Sequence, residues 1–351
     1  MQALLPYFGP QFGNASSTYA LGQNAKKAVE MARTQVASML GASDSNEIVF
    51  LSGGTESINY AIKGSALAAK RTSGRNHIVT SSVEHVAVLE TCKWLETQGF
   101  QVTYLPVNNF GCVRVQDVLD ALTVQTYASQ AIGKVRVNVV ELDVDLVTMA
   151  GHKFYAPKGV GALYVRKSMV LDTIIHGASQ ENGRRGGTEN VGLVAALGQA
   201  CALVEKNLHE YAVIMQESRA FLLKQSQKHC SLTNVSYQVN GHPELSLPNT
   251  LSISFENIDA SRLLDLIEAD GVYASAGSAC HSHKQDRTTE QEKNLDRDGK
   301  HITTISHVLA AMHVAPEFAK GTLRLSVGRS TTQEEVLHAA NAIHKAIQQL
   351  L

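Results

Sequence analysis

The chain has 351 residues, 44% of them hydrophobic and 18% charged, with a formal net charge of −1. That length leaves room for two domains and a sizeable core. A charge so near zero offers no field to hold nucleic acid or an anionic membrane, and the sequence shows no apolar run approaching the ~20 residues of a membrane span.

Five cysteines, Cys92, Cys112, Cys201, Cys230 and Cys280, show no CxxC spacing. Sparse thiols in a long chain predict the reduced state and a reducing compartment. Met1–Gly9 lacks the basic and apolar regions of a signal peptide and reads as the end of a helix opened at an internal methionine. The expected location is the cytoplasm, or the mitochondrion in a eukaryote.

In chain order, Ala28, Ala32, Val36 and Met39 recur at helical spacing, with charged residues between them and Gly41 as the stop. Ile48–Leu51 is a strand. Ser52-Gly-Gly-Thr-Glu-Ser57 follows, then a helical pattern to about Lys70. Glycines ahead of a helix start make an anion site, because free N–H groups point outward there and nothing blocks close approach. Many such turns are Gly-rich for steric reasons alone. His77–Ser81 is a strand, Val83-Glu-His-Val86 leads into a helix, and Gln101–Pro106 is a strand.

Leu146–Ala150 is a short apolar run ending in Gly151-His152-Lys153. After the turn Ala156-Pro157-Lys158-Gly159 comes a second β-prone run, Gly161–Val165. A lysine at the end of a buried strand loses its proton cheaply, because desolvation disfavours the ammonium. A neutral lysine amine attacks carbonyls and would hold an aldehyde cofactor as a Schiff base. Gln180–Asn190 is a polar loop rich in Gly and Arg, either an anion binder or a flexible connection. A long helix follows from Asn190 to about Lys228.

Thr250–Phe255 is a strand, Ala260–Ala269 a helix, and Val272–Cys280 runs into Cys280-His281-Ser282-His283. No second cluster completes a tetrahedral metal site, so no metal is expected. From His281 to about Ile305 dense mixed charge predicts an irregular, exposed loop. Leu323–Val327 is a strand, and capping-box spacings at Thr331 and Thr332 open the last helix. Strands alternating with helices argue for an open, mostly parallel α/β sheet, with ligands at the carboxyl ends of its strands. Ser52–Thr55, Glu84-His85 and His152-Lys153 all fall at such ends.

Seven motifs appear together from about Pro10 onward: Phe12-Gly-Asn-Ala-Ser-Ser17, Ser52-Gly-Gly-Thr-Glu-Ser57, Val83-Glu-His85, Gly151-His-Lys-Phe-Tyr-Ala-Pro-Lys-Gly159, Arg185-Gly-Gly-Thr-Glu-Asn190, Gly277-Ser-Ala-Cys280 and Leu323-Arg-Leu-Ser-Val-Gly-Arg329. In this order the chain resembles the cysteine desulfurases of the NifS/IscS type, within the class V aminotransferases and close to the selenocysteine lyases. The resemblance implies the PLP-dependent transferase fold of type I. It places a cofactor-binding large domain over 14–248 and a smaller α+β domain over 249–351 plus 1–13. It also implies pyridoxal 5'-phosphate (PLP) on Lys153, conversion of L-cysteine (or L-selenocysteine) to L-alanine, and a Cys280 persulfide feeding iron–sulfur cluster assembly or other sulfur transfer.

By the same resemblance His152 sits beside Lys153, and Gly54 and Thr55 bind the phosphate. Thr188 reaches a phosphate across a homodimer interface. His85 stacks on the cofactor ring and exchanges protons with the sulfur intermediate, while Gln130 contacts the ring hydroxyl. Arg324, with Asn14, grips the substrate carboxylate; a planar guanidinium fork suits that task. The expected partners are a homodimer mate and a sulfur-acceptor or scaffold protein, with no nucleic acid and no membrane.

Two stretches depart from the family. Between Val124 and Ala128 an α/β unit of about 30 residues is absent. With it go an asparagine near the ring and the aspartate that pairs with the pyridine nitrogen; Tyr127 stands in the aspartate's place. The sheet should therefore be incomplete and the cofactor a weaker electron sink. The N-terminal segment beside the cofactor is also missing. Two alternatives to a working desulfurase follow: a selenocysteine lyase, or an inactive splice form or pseudoenzyme acting as an interaction partner.

Overall fold

The computed structural model describes residues 2–121, 134–276 and 305–351. Helix α1, Ala20–Leu40, is closed by Gly41 in the left-handed conformation, φ 65°, whose N–H turns back to the carbonyls of Ala37 and Ser38. Its buried stripe of Ala25, Val29, Ala32, Val36 and Leu40 lies in the main apolar core. Strand β1, Ile48–Leu51, is wholly buried. Helix α2, Gly54–Asn59, continues through a π turn, Tyr60–Gly64, into α3, Ser65–Ser73. Then come β2 (His77–Ser81), α4 (Val86–Thr97), β3 (Gln101–Leu105) and α5 (Val115–Ala121).

Strands β4, Leu146–Ala150, and β5, Gly161–Val165, are buried along their whole length, as continuous apolar runs require. β5 lies between β1 and β4 and is antiparallel to both. The α/β class expected from the sequence holds, but the mostly parallel pairing does not describe this sheet: β1 and β4 run together and β5 is reversed. The reason is the connection. Only residues 151–160 separate Ala150 from Gly161, fewer than the dozen or more a parallel crossover takes. β2 and β3 form a separate two-stranded sheet.

Helix α6 spans Val191–Thr233, followed by β6 (Tyr237–Asn240) and β7 (Thr250–Phe255). Next are α7 (Ala260–Ala269), α8 (His307–Ala311), α9 (Pro316–Ala319), β8 (Thr322–Ser326) and α10 (Gln333–Leu350). β7 lies between β6 and β8, antiparallel to each. Thr332 caps α10 with a full capping box to Glu335.

Contrary to the sequence expectation, α6 is long and apolar enough to cross a membrane by length and composition alone. Half of its most apolar window is buried in the fold. Val194, Leu197, Cys201 and Val204 sit in the main core, and Met215, Leu222 and Cys230 in a second core.

Two compact units result. One comprises the described parts of Met1–Thr80, His85–Tyr104 and Asp120–His209; the other comprises those of Ser81–Glu84, Leu105–Leu119 and Glu210–Leu351. These boundaries differ from 14–248 and 249–351 plus 1–13. The second half of α6 packs into the core of β7, β8, α7 and α10, so the division falls at His209 rather than after it. Residues near the start go with the first unit, where Tyr7 packs on the main core and Phe8 meets Gly192.

In the second unit His229 of α6 and His344 of α10 stack, ring centroids 4.2 Å apart and planes at 19°. Both ring nitrogens of His229 are screened from water. Burial, the facing His344 and nearby Lys228 hold His229 below the ordinary histidine value of 6.5, with the Asn341 side chain pulling the other way. A depressed pKa means the unfolded chain takes up the proton first, so stability falls as pH drops below 6.5. Urea midpoints of the wild type should drop between about pH 7.5 and 5.5, and His229→Leu should flatten that drop. An equal drop in both proteins would show that another group titrates.

Candidate active site

The site in the first unit is built where the end of β4 meets the start of α2. Gly54 is packed so closely that a Cβ there would lie 2.8 Å from Ala150 Cβ. Gly161 is equally confined, with Gly53 Cα 2.8 Å from where its Cβ would stand. Small residues at both positions let the glycine turn seat directly on the sheet beside the Lys153 turn. Ser57 Oγ, buried, donates to Ala162 O at 2.8 Å and pins α2 to β5. Helical bonding begins with Ser57 N–H to Gly53 O, 3.1 Å, so the N–H groups just ahead of it point out of the helix end. Thr55 is exposed at that end, and the Cβ face of Gly53 is open.

Beyond Ala150 the chain makes a 3₁₀ turn, Gly151–Phe154, closed by Tyr155 at φ 73°. Gly151 N–H donates to Val160 O at 3.1 Å and Ala156 N–H to Gly151 O at 3.1 Å. Phe154 is driven into the core, which turns His152 and Lys153 outward. Lys153 is thus exposed, and the sequence argument from a buried lysine does not apply to it. The lysine the fold buries is Lys134, 8% exposed, whose Nζ donates to Lys153 O at 2.5 Å. Burial, then the charge of Lys153, push Lys134 below the usual lysine value. Partial burial of the ring, with Lys153 and Lys158 nearby, lowers His152.

His85 caps α4: its Nδ1 accepts from Ala87 N–H at 3.1 Å. Nδ1 as acceptor fixes the neutral ring with its proton on Nε2. Ala87 and Val88 pack with Ile58 and Ile62, so the α4 start and the glycine turn are registered through one apolar cluster. Glu56 accepts from Ser52 N–H at 2.7 Å and from Arg185 Nε at 2.9 Å, tying the Gly/Arg loop to the same turn. Its own burial opposes ionisation, but Arg185 and Ser52 leave the carboxyl below the usual range. Thr188 lies exposed further along that loop.

Deeper, Arg33 and Glu181 form a two-point ion pair, 2.7 and 2.9 Å, with side chains 5% and 3% exposed. Glu181 Oε2 also accepts from Phe50 N–H at 2.9 Å, and Arg33 donates to Ile48 O at 2.9 Å. Sequence reading gave no role to Arg33, Glu181, Glu56 or Lys134: Glu56 and Glu181 lie in stretches read for their glycines and arginines, and Arg33 and Lys134 carry no motif. Spacing alone could not distinguish them from solvated ones.

Asn14 is exposed, its Oδ1 held in a local turn by Ser16 N–H at 2.9 Å. Arg324 belongs to the second unit, where its backbone bridges to Ser275. Gln130, Tyr127, Cys280 and the charged loop from His281 lie outside the described residues. Cys92, Cys112, Cys201 and Cys230 form no disulfide among the described residues, and burial pushes the Cys230 thiol up to about 11.

The Aminotransferase class-V family model matches residues 1–128 and 123–338, and the chain belongs to that family. It is 40% identical to the cysteine desulfurase IscS of Methanosarcina thermophila, over 100% of this chain and 89% of the relative. That alignment runs over 386 positions, more than the 351 residues present, so the relative carries residues with no counterpart here. The two family matches overlap at 123–128, the place where the sequence reading expects an α/β unit to be absent. Among solved structures, a NifS-like protein superposes with a TM-score of 0.84 at 30% identity, covering 99% of this chain and 95% of that one. SspA in complex with cysteine gives 0.73 at 29% identity, covering 94% and 95%. Cysteine desulfurases and class V aminotransferases are PLP-dependent, and the type I transferase fold is shared with these neighbours.

Removing one member of a buried ion pair strands the other, at a cost of about 3–5 kcal/mol. Glu181→Ala should lower unfolding stability by that order and loosen the Arg185–Asn190 loop. Urea denaturation with proteolysis at Arg184 or Arg185 measures both. A loss below ~1 kcal/mol would show that the pair does not anchor the loop.

Proposed function

We propose that this chain is a PLP-dependent cysteine desulfurase that takes sulfur from L-cysteine, with L-selenocysteine as the alternative substrate. The contact that carries the reading is Gly54 against Ala150, which sets an anion-binding helix start beside an exposed lysine amine. The residues fit the cofactor. Gly54 and Thr55 would take its phosphate, aided by the open face of Gly53. Lys153 would hold its aldehyde carbon. The lysines and His152 around that amine complement a phosphorylated anion. His85 presents an Nε2 proton, and Gln130 would meet the ring hydroxyl. Bound there, PLP would supply an electron sink for the substrate α-carbon.

The chain's own groups would do the rest. The Lys153 amine takes the α-proton and returns one. By the family resemblance, Arg324 and Asn14 would hold the carboxylate. His85 Nε2 manages the proton at sulfur. The Cys280 thiolate attacks the substrate sulfur; an S–S bond forms as the C–S bond breaks, and L-alanine leaves once carbon is protonated. Thr188 would complete the phosphate site of a homodimer mate. An acceptor or scaffold protein would collect the persulfide sulfur, and the expected location remains cytoplasmic or mitochondrial.

Borohydride treatment of the PLP-loaded protein should fix the cofactor mass on the Lys153 peptide, and Lys153→Ala should abolish it. Mass on another lysine would reject the assignment. Because the Tyr127 position lacks its neighbouring strands, L-cysteine turnover should fall far below that of an intact relative, and Tyr127→Asp should not restore it. Turnover at the intact relative's level would refute the importance of the missing unit. Cys280→Ser should leave the Lys153 label intact while removing persulfide, read by thiol-specific mass labelling.

A further inference from the structure

We infer that Lys134 is a positioning residue for Lys153, clamping its turn through a backbone hydrogen bond and setting a second positive charge beside its amine. The inference rests on the PLP reading and deepens it. Lys134 is nearly sealed from water, yet its Nζ is spent on one carbonyl, Lys153 O, at 2.5 Å. Its other neighbour is the Tyr155 ring, 5.7 Å from Nζ to the centroid. A buried ammonium is costly unless paired or hydrogen-bonded. Here Lys134 holds the closing side of the reactive turn, through the carbonyl of Lys153 and the face of Tyr155.

Among the described residues the charge acting on it is positive. Lys134 is coupled to Lys153, and His152 to Lys153 and Lys158. The segment just before it, Leu122–Gly133, contains no Asp or Glu in its sequence. No carboxylate is among the groups that set the charge state of Lys134 or His152 among the described residues. A fixed cation next to a nitrogen that can be protonated favours the neutral form, the form in which an amine reacts with a carbonyl. The Lys134 hydrogen bond contributes order, and its charge contributes electrostatics. The two can be separated by substitution.

Lys134→Met removes donor and charge, Lys134→Gln keeps a donor without charge, and Lys134→Arg keeps both. In apo protein, hydrogen exchange of the Gly151–Tyr155 peptide should accelerate about tenfold in Lys134→Met and stay near wild type in Lys134→Gln. This readout needs no cofactor. In PLP-loaded protein, the pH midpoint of the near-ultraviolet cofactor absorbance should rise in both Lys134→Met and Lys134→Gln and stay put in Lys134→Arg. A purely structural role would not move the midpoint in Lys134→Gln, so an unchanged value there, with an unchanged melting temperature, overturns the electrostatic part. Unchanged exchange in Lys134→Met overturns the clamp. If the wild type takes no label on Lys153, the PLP reading fails, and exchange alone decides the clamp.

Discussion

Arg33 and Glu181 are the constraint on which the site scaffold depends. A guanidinium and a carboxylate this far from water are expensive to desolvate, and the pair is tolerable because both groups are also hydrogen-bonded to backbone. Arg33 meets both carboxylate oxygens and Ile48 O; Glu181 also takes Phe50 N–H. α1, β1 and the loop before α6 are therefore fixed in one register. Glu181 reaches this position from a left-handed backbone, φ 49°, ψ 39°, which a single residue adopts only when its surroundings hold it there. Arg184 adds donors to Asn46 O and Ile48 O. Once this end is held, Arg185 can meet Glu56, and Glu56 in turn holds Ser52 N–H. A buried ion pair thus transmits order to the glycine turn.

The local elements were legible because their signals are physical ones. Thr250–Phe255 and Ala260–Ala269 form at the positions their patterns indicate, and Thr332 supplies the capping box that its spacing to Glu335 announces. The strand end at Ala150 and the glycine turn at Ser52 were readable as motifs, and the structure packs Gly54 onto Ala150. What could not be read is set by partners distant in sequence. The reversal of β5 is a pairing choice, and the break between units depends on what the second half of α6 buries. β6 is a short strand of half-buried and exposed residues with no apolar run to mark it.

The lysines show this most clearly. Reasoning from the strand end put desolvation on Lys153. The fold gives the buried anchor at that turn to Phe154, so Lys153 points out, and burial falls on Lys134, far earlier in the chain. Sequence distance hides such substitution of one lysine for another; only the bond from Lys134 Nζ to Lys153 O reveals it.

The missing α/β unit bears unequally on the two halves of the chemistry. The family match breaks at 123–128, between β3 and β4, and the strands on either side of that break belong to separate sheets. β4 pairs on one side with β5 and is nonetheless buried along its whole length among the described residues. Its position comes from β5 and the π turn after α2, through Leu163, Val165 and Ala61 packed with Leu146. The glycine turn at Ser52–Thr55 and the Lys153 turn hang from these same elements. The contacts that would tune the cofactor ring, Gln130 and the position held by Tyr127, belong to the interrupted stretch. Holding an aldehyde cofactor requires the first set, and rapid carbanion chemistry requires both. The two properties should therefore come apart in this chain, with covalent loading surviving a loss that turnover does not.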